Sequence, residues 1–74
     1  MVETSEILAE MVASVLSVAV APGDRVEAGG TLMLLESMKM EIPVLVEVPG
    51  VVREVRVVAG DLIQEGDVLA VLER

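Results

Sequence analysis

The sequence predicts an all-β domain: a flattened β-barrel or sandwich of two quasi-symmetric, four-stranded antiparallel sheets. Two observations predict this fold, a repeat with a shift of 37 residues and a period-two alternation of apolar side chains within each half. No window supports a long helix, because valine is abundant and glycine recurs. We expect a single domain over residues 1–74, with its core over about residues 5–73.

The repeat relates the two halves of the chain without a gap. Residues 9–37 align with residues 46–74, and ten of these 29 positions are identical. The matches include residues typical of turns, at Gly23/Gly60, Asp24/Asp61 and Gly29/Gly66. Matched glycines are informative because each marks a backbone position that other residues adopt poorly. The two halves should therefore fold alike and be related by a quasi-two-fold axis.

Apolar and polar residues alternate within each half, which is the period of a strand with one buried face. The side chains expected to face the core are Ile7, Ala9, Met11, Leu16, Val18, Val20, Ile42, Val44, Val46, Val48, Val55 and Val57. The segments TLMLLE and VLAVLE supply one further strand per half. Turns are expected at Pro22-Gly23-Asp24, Gly29-Gly30, Pro49-Gly50, Gly60-Asp61 and Gly66-Asp67. The two sets of strands, each with one apolar face, should pack face to face.

Composition excludes several classes of function. A net charge of −8, with five scattered cationic side chains, argues against nucleic acid as a partner. The absence of cysteine rules out disulfides and thiol chemistry. The most apolar uncharged run, residues 11–23, is shorter than the roughly 20 residues of a membrane helix. The acidic N-terminus does not resemble a signal peptide. We expect a cytoplasmic protein with no membrane partner.

The stretch ESMKM, residues 36–40, holds Lys39, the only lysine of the chain. It lies at the junction of the two halves, where a hairpin should connect a strand over residues 32–36 with one over residues 41–48. Methionine on both sides is unusual, because hairpin turns favour Gly, Asn and Asp. An isolated exposed lysine is usually a solvated surface residue. Exposed methionines, however, form an adaptable contact surface for partners.

Nothing in the sequence indicates catalysis by this chain alone. His, Cys and Tyr are absent, and the carboxylates fall at outward strand positions or in turns, where solvation explains them. The turn residues Asp24, Asp61 and Asp67 are scattered and have ordinary roles in turns, so no metal site is expected.

The ESMKM stretch resembles the biotin-attachment motif of the biotinyl domains of biotin-dependent carboxylases, whose usual form is A/S-M-K-M. The repeats around it resemble the biotinyl/lipoyl domain pattern, a barrel-sandwich hybrid fold, over roughly residues 5–73. More closely, the chain is similar to stand-alone biotin/lipoyl attachment proteins. This resemblance implies that Lys39 is the site of biotin attachment. It also implies a surface recognised by the ligase and the carboxylase, formed by Glu36, Ser37, Met38, Met40 and Glu41.

The resemblance implies a non-catalytic biotin carboxyl carrier subunit. A biotin protein ligase would join biotin to Lys39, and the arm would then shuttle a carboxyl group from a biotin carboxylase to a carboxyltransferase. Two alternatives stay open. One is a lipoyl carrier domain of a 2-oxo acid dehydrogenase-type complex, although lipoyl domains typically have D-K-A where this chain has M-K-M. The other is a structural or interaction β module with an unmodified lysine.

Overall fold

Residues 3–74, the part of the chain that the computed structural model describes, form eight β-strands. In chain order these are β1 (Thr4–Leu8), β2 (Ala13–Val18), β3 (Arg25–Val26), β4 (Thr31–Ser37), β5 (Met40–Leu45), β6 (Gly50–Val55), β7 (Leu62–Ile63) and β8 (Val68–Glu73). A shift of 37 residues superposes β1–β4 on β5–β8 to within one residue at the strand ends. The predicted symmetry of the two halves is therefore confirmed.

The strands form two antiparallel four-stranded sheets, as the sequence predicts. Sheet I has the order β1-β8-β6-β3, and sheet II has the order β5-β4-β2-β7. Each sheet takes two strands from each half of the chain, so the halves interlock. The expectation that the strands of each half form a separate layer is wrong in this respect. The expectation failed because the pairs β1–β8, β2–β7 and β3–β6 join residues that are far apart in sequence. The local alternation of side chains does not specify which distant strands pair.

β-Bulges in the sheets obey the same symmetry. In β2, Leu16 has no partner between the paired residues on either side of it, and its counterpart Arg53 is the extra residue in β6. Leu32 in β4 and Leu69 in β8 form a second matched pair. A bulge inserts one residue and so shifts the alternation of side chains along its strand. Matched bulges show that the repeat extends to irregularities of the backbone.

The bulge in β2 corrects one prediction about the core. Leu16 was expected to face inward, but it is 37% exposed, and Val15 is buried instead. Strict alternation would place Leu16 on the same side of the strand as Val18, facing inward. Because Leu16 is itself the extra residue of the bulge, the alternation is interrupted there.

The connection between β5 and β6 corrects two further predictions. Val48 was expected to face the core with Ile42 and Val44, but β5 ends at Leu45, and Val48 lies in a bend and is exposed. The expected turn at Pro49-Gly50 lies earlier, because Gly50 is already the first residue of β6. A Cβ atom at position 50 would lie 2.6 Å from the backbone oxygen of Glu73. Gly50 therefore permits a close approach of two strands rather than a turn.

The core between the sheets is built from aliphatic side chains and methionine. Its most buried large members are Leu32, Met33, Ile63, Leu69, Val15, Val46 and Val52. Ala9 is buried, and Ile7, Met11, Val18, Val20, Ile42, Val44 and Val55 pack against the buried cluster, as their alternation predicts. In β4 the bulge lets the consecutive side chains of Leu32 and Met33 both reach the core. The sheets thus pack closely without any aromatic residue.

Two symmetry-related turns connect the halves to each other. In one, Gly23 has φ +96°, its N–H donates to the Val52 carbonyl at 2.7 Å, and Asp24 Oδ2 accepts from the Ala21 N–H at 2.9 Å. The counterpart turn repeats this arrangement around Gly60 and Asp61, with Gly60 N–H donating to Val15 at 2.8 Å. Each turn of one half is therefore held by a strand of the other, which explains why the Gly-Asp pair recurs.

Among residues 3–74 there is no helix with the length and apolar character needed to cross a membrane.

Candidate functional site

The site forms at the tip of the β4–β5 hairpin. Ser37 pairs with Met40 and Glu36 pairs with Glu41, so the two strands are joined by Met38 and Lys39 alone. The strands each extend one residue further toward the tip than the sequence predicts. The loop is accordingly a two-residue turn, and its register is set by the pairing of the strands below it.

Both residues of this turn have a left-handed backbone. Met38 has φ +53° and Lys39 has φ +65°, and positive φ at both central positions is the signature of a type I′ turn. Neither residue is a Gly, Asn or Asp, the types that adopt this conformation at low cost. A left-handed residue with a Cβ costs roughly 1–2 kcal/mol. The hairpin therefore holds Lys39 in a strained conformation that the flanking strand pairs impose, and such strain is a frequent feature of functional sites.

Relief of this strain is measurable. We expect Met38→Asn to raise the free energy of unfolding by about 0.5–1 kcal/mol, because asparagine adopts positive φ more readily than methionine. Urea denaturation of the purified protein measures the change. Met40→Asn is the matched control, since Met40 is also exposed but lies in strand β5, where it should give no gain. Equal effects at the two positions would contradict the assignment of strain to Met38.

The side chains of the turn are directed into solvent. Met38 is 90% exposed and Met40 is 62% exposed, and Lys39 between them is also exposed. Methionine normally fills the core, so two exposed methionines beside one amine create an apolar and adaptable surface around it. Such a surface is suited to contact with a partner protein.

The charges around Lys39 are acidic. Glu36 and Glu41 are both exposed and lie directly opposite each other on the paired strands below the turn. Like charges in such a cross-strand pair are destabilising, so their proximity is a second local cost of the site. Lys39 forms no ion pair with any residue in the range 3–74. The exposed amine is therefore accessible to another molecule.

The structure brings together all six residues that the sequence singles out, which are Glu36, Ser37, Met38, Lys39, Met40 and Glu41. The strained turn is the feature that sequence reasoning missed. A loop of two residues would have indicated such a turn. The alternation of side chains, however, placed the end of β4 and the start of β5 one residue too far from the tip, so the predicted loop was longer.

Elsewhere in the described structure, neither a groove nor a cluster of acidic side chains combines the features of the hairpin tip. A groove of about 410 Å³ lies between the edge strands β1 and β5, with Ile7, Ile42, Val44 and Leu72 in its lining, and Lys39 is not part of it. Within the described residues, no group of three or more His, Cys, Asp or Glu side chains is arranged to hold a metal ion. The hairpin tip is thus the location where exposure, strain and a unique amine coincide.

Comparison with known proteins agrees with this geometry. The model of the biotin/lipoyl family, described as "Biotin-requiring enzyme", matches residues 2–72. The biotinylated protein TB7.3 homolog of Mycobacterium leprae is 57% identical over 67 residues, covering 90% of this chain and 94% of that protein. The biotin/lipoyl attachment protein of Bacillus subtilis is 45% identical over 60 residues, covering 81% and 82% of the two chains.

A solved structure extends the comparison to a larger enzyme. A single-chain, multi-domain long-chain acyl-CoA carboxylase matches with a TM-score of 0.89 and 30% identity. The match covers 96% of this chain but only 7% of the carboxylase, so this chain corresponds to one small domain of it. The family match over nearly the whole described fold, together with these relatives, shows that the chain belongs to the biotin/lipoyl family of biotin-requiring enzymes.

Proposed function

We propose that this chain is a single biotin carboxyl carrier domain and that Lys39 Nζ is its site of covalent biotin attachment. The observation that carries the proposal is the position of the only lysine, exposed at the tip of a strained two-residue turn between two exposed methionines. The names of the relatives support attachment of biotin, and the likeness to a carboxylase domain supports a carrier role.

The residues of the hairpin fit the attachment of a carboxylic acid as an amide. An exposed primary amine can be reached from solvent by an enzyme, and no carboxylate is bonded to it in the described structure. Nζ reacts as the neutral amine, so a base of the ligase must first remove a proton from it. The Nζ lone pair then forms a bond to the activated carboxyl carbon, and the leaving group departs with the electron pair of the broken bond. Nζ loses a second proton to the ligase base or to solvent, which leaves the neutral amide.

Biotin, when attached, accepts a carboxyl group at one active site and releases it at another. This chain supplies the remaining requirements, a rigid base for the arm and a surface that partners recognise. Strands β4 and β5 fix the position of the Lys39 backbone, so mobility is confined to the side chain and its extension. A tethered arm raises the effective concentration of its end at nearby sites without tight binding. The proposed partners are therefore a biotin protein ligase, a biotin carboxylase and a carboxyltransferase.

A role for the other hairpin residues follows from the same geometry. We assign Glu36, Ser37, Met38, Met40 and Glu41 to the surface that the ligase and carboxylase contact, with no part in bond making. Within residues 3–74 no carboxylate lies within ion-pair distance of Lys39, so the base is assigned to the ligase. The carrier is thus proposed as a non-catalytic partner of the enzymes that visit it.

The intact mass of the protein purified from its native host tests the proposal. We expect an increase by one biotinyl group, located on Lys39 by fragmentation of the peptide. The "biotin/lipoyl" name of one relative favours lipoate as the second candidate, and a lipoyl adduct has a different mass. A lipoyl adduct would show that the chain is a lipoyl carrier. An unmodified mass, in cells that contain an active ligase, would indicate an interaction module instead of a carrier.

A further inference from the structure

The repeat allows each position on the outer face of sheet I to be compared with its counterpart on sheet II. The shift of 37 residues pairs positions that share strand, register and exposure. Three pairs within the strands have a charged residue on sheet I and an apolar residue on sheet II, and these are Arg25/Leu62, Arg53/Leu16 and Glu6/Pro43. Because the backbone is the same at both members of each pair, the difference is not a requirement of the fold.

The members of these pairs on sheet I are charged and well solvated. Arg53 forms an ion pair with Glu73 at 3.3 Å, and Arg25 forms one with Glu27 at 3.5 Å. Both arginine side chains are more than half exposed. A long cationic side chain is therefore compatible with the edge strand β3 and with the bulge position in β6.

The members on sheet II are apolar although they are exposed. Leu62 is 69% exposed, and Leu16 is exposed at the bulge. Leu34 lies between them and Pro43, because it pairs with Pro43 on one side and lies opposite the bulge on the other. We call Leu16, Leu34, Pro43 and Leu62 the leucine face. Leu16, Pro43 and Leu62 are exposed and have charged counterparts, so they are not needed by the fold and are typical of an interaction surface, whereas Leu34 is half-buried between them.

The leucine face lies on the same sheet as the Lys39 hairpin, beside and below the turn. A row of paired residues crosses sheet II directly below the turn, from Glu41 to Glu36, Ser14 and Leu62. With strands about 4.8 Å apart, this row spans about 15 Å. A typical protein interface covers a patch roughly 28 Å across on each partner. One partner can therefore contact the turn and the leucine face together.

The distribution of charge indicates the chemistry of that partner. Arg25 and Arg53 lie in strands of sheet I, and Arg56 and Arg74 directly follow strands of the same sheet. Glu36 and Glu41, on sheet II, have no ion-pair partner within residues 3–74. A complementary surface would present an apolar patch with lysine or arginine beside it.

We propose that the leucine face is the docking surface for the biotin protein ligase that modifies Lys39. The surface of the ligase that contacts it would have an apolar patch flanked by basic residues. The inference rests on the proposed function. The ligase is the occupant because it reacts with the amine itself and must seat the domain against its own surface. The carboxylase and carboxyltransferase act on the far end of the arm, so their contacts with the hairpin residues do not need to extend to the leucine face.

The test compares variants that exchange the counterparts. The double variant Leu16→Arg/Leu62→Arg places on sheet II the residues that sheet I carries. Initial rates of biotinylation by the ligase purified from the native host are measured against carrier concentration. We expect the KM for the carrier to rise about tenfold or more, with kcat unchanged, because docking and not bond making is affected. The reciprocal variant Arg25→Leu/Arg53→Leu is the matched control and should leave KM unchanged.

The sign of the charge gives an independent readout. Leu62→Glu should raise KM less than Leu62→Arg, because a basic ligase surface attracts the carboxylate. Thermal unfolding of each variant confirms that it is folded. An unchanged KM for a folded Leu16→Arg/Leu62→Arg variant, or a smaller effect of Arg than of Glu at position 62, would overturn the docking surface while leaving the proposed function intact. Failure of the ligase to modify the parent protein would overturn both.

Discussion

Replacing Lys39 with arginine is expected to abolish the incorporation of biotin while leaving the free energy of unfolding within about 0.5 kcal/mol of the parent value. The guanidinium keeps the positive charge beside Glu36 and Glu41 but stays protonated, so it is not a nucleophile. Because Lys39 is the only lysine, no other side-chain amine can substitute for it. Intact mass and avidin binding after incubation with ligase, biotin and ATP measure the result.

A second variant tests whether position as well as chemistry matters. In Lys39→Arg/Arg53→Lys the chain again has one lysine, now exposed at the bulge of β6 on sheet I. We expect this protein to stay unmodified, because the amine has lost the hairpin and its flanking methionines. Biotin found in the single variant would disprove attachment at Lys39. Modification of the double variant at the parent rate would show that the ligase needs only an exposed amine.

The largest expected effect on stability is at Leu32. The side chain is fully buried at the bulge of β4, so Leu32→Ala leaves a cavity between the sheets. Such substitutions cost about 2–5 kcal/mol. A domain of this length has a total stability of roughly 4–11 kcal/mol, so the variant is expected to lose a large part of its stability. Urea denaturation followed by circular dichroism gives the free energy of unfolding.

Two comparisons make the Leu32 result specific. Leu69 is the counterpart of Leu32 in β8 and is equally enclosed, so Leu69→Ala should have a similar cost. Leu45 is half exposed at the end of β5, so Leu45→Ala should cost less than about 1 kcal/mol. If Leu32→Ala were as mild as Leu45→Ala, the bulge would not be directing Leu32 into the core.

Much of the architecture could be predicted because its causes are local. Gly23 and Gly60 mark turns through a backbone conformation that other residues adopt poorly, and each is followed by an aspartate that accepts a hydrogen bond within the turn. Alternation placed Ile7 and Ala9 toward the core, because a strand with one buried face has a period of two. The position of Lys39 at the junction of the halves predicted its hairpin.

The errors fall where contacts distant in sequence override this alternation. Leu16 points outward because the bulge in β2 adds a residue opposite Leu34, and nothing in the segment SVLSVAV reveals it. Gly50 was interpreted as a turn residue, but it is required by the approach of the Glu73 backbone, which belongs to the far end of the chain. Neither effect has a local sequence pattern, because each depends on which strand lies alongside.

The sequence by itself determined that the chain consists of two similar sets of short strands, and that its unique amine lies between two methionines at their junction. Alternation and glycine positions suffice for this, since they record preferences of neighbouring residues. Only the tertiary structure decided that the halves interlock and that Met38 and Lys39 adopt left-handed conformations. It also decided that Leu16, Leu34, Pro43 and Leu62 lie on the same sheet as the hairpin. These features follow from pairing between distant strands, which fixes register and forces the turn between them.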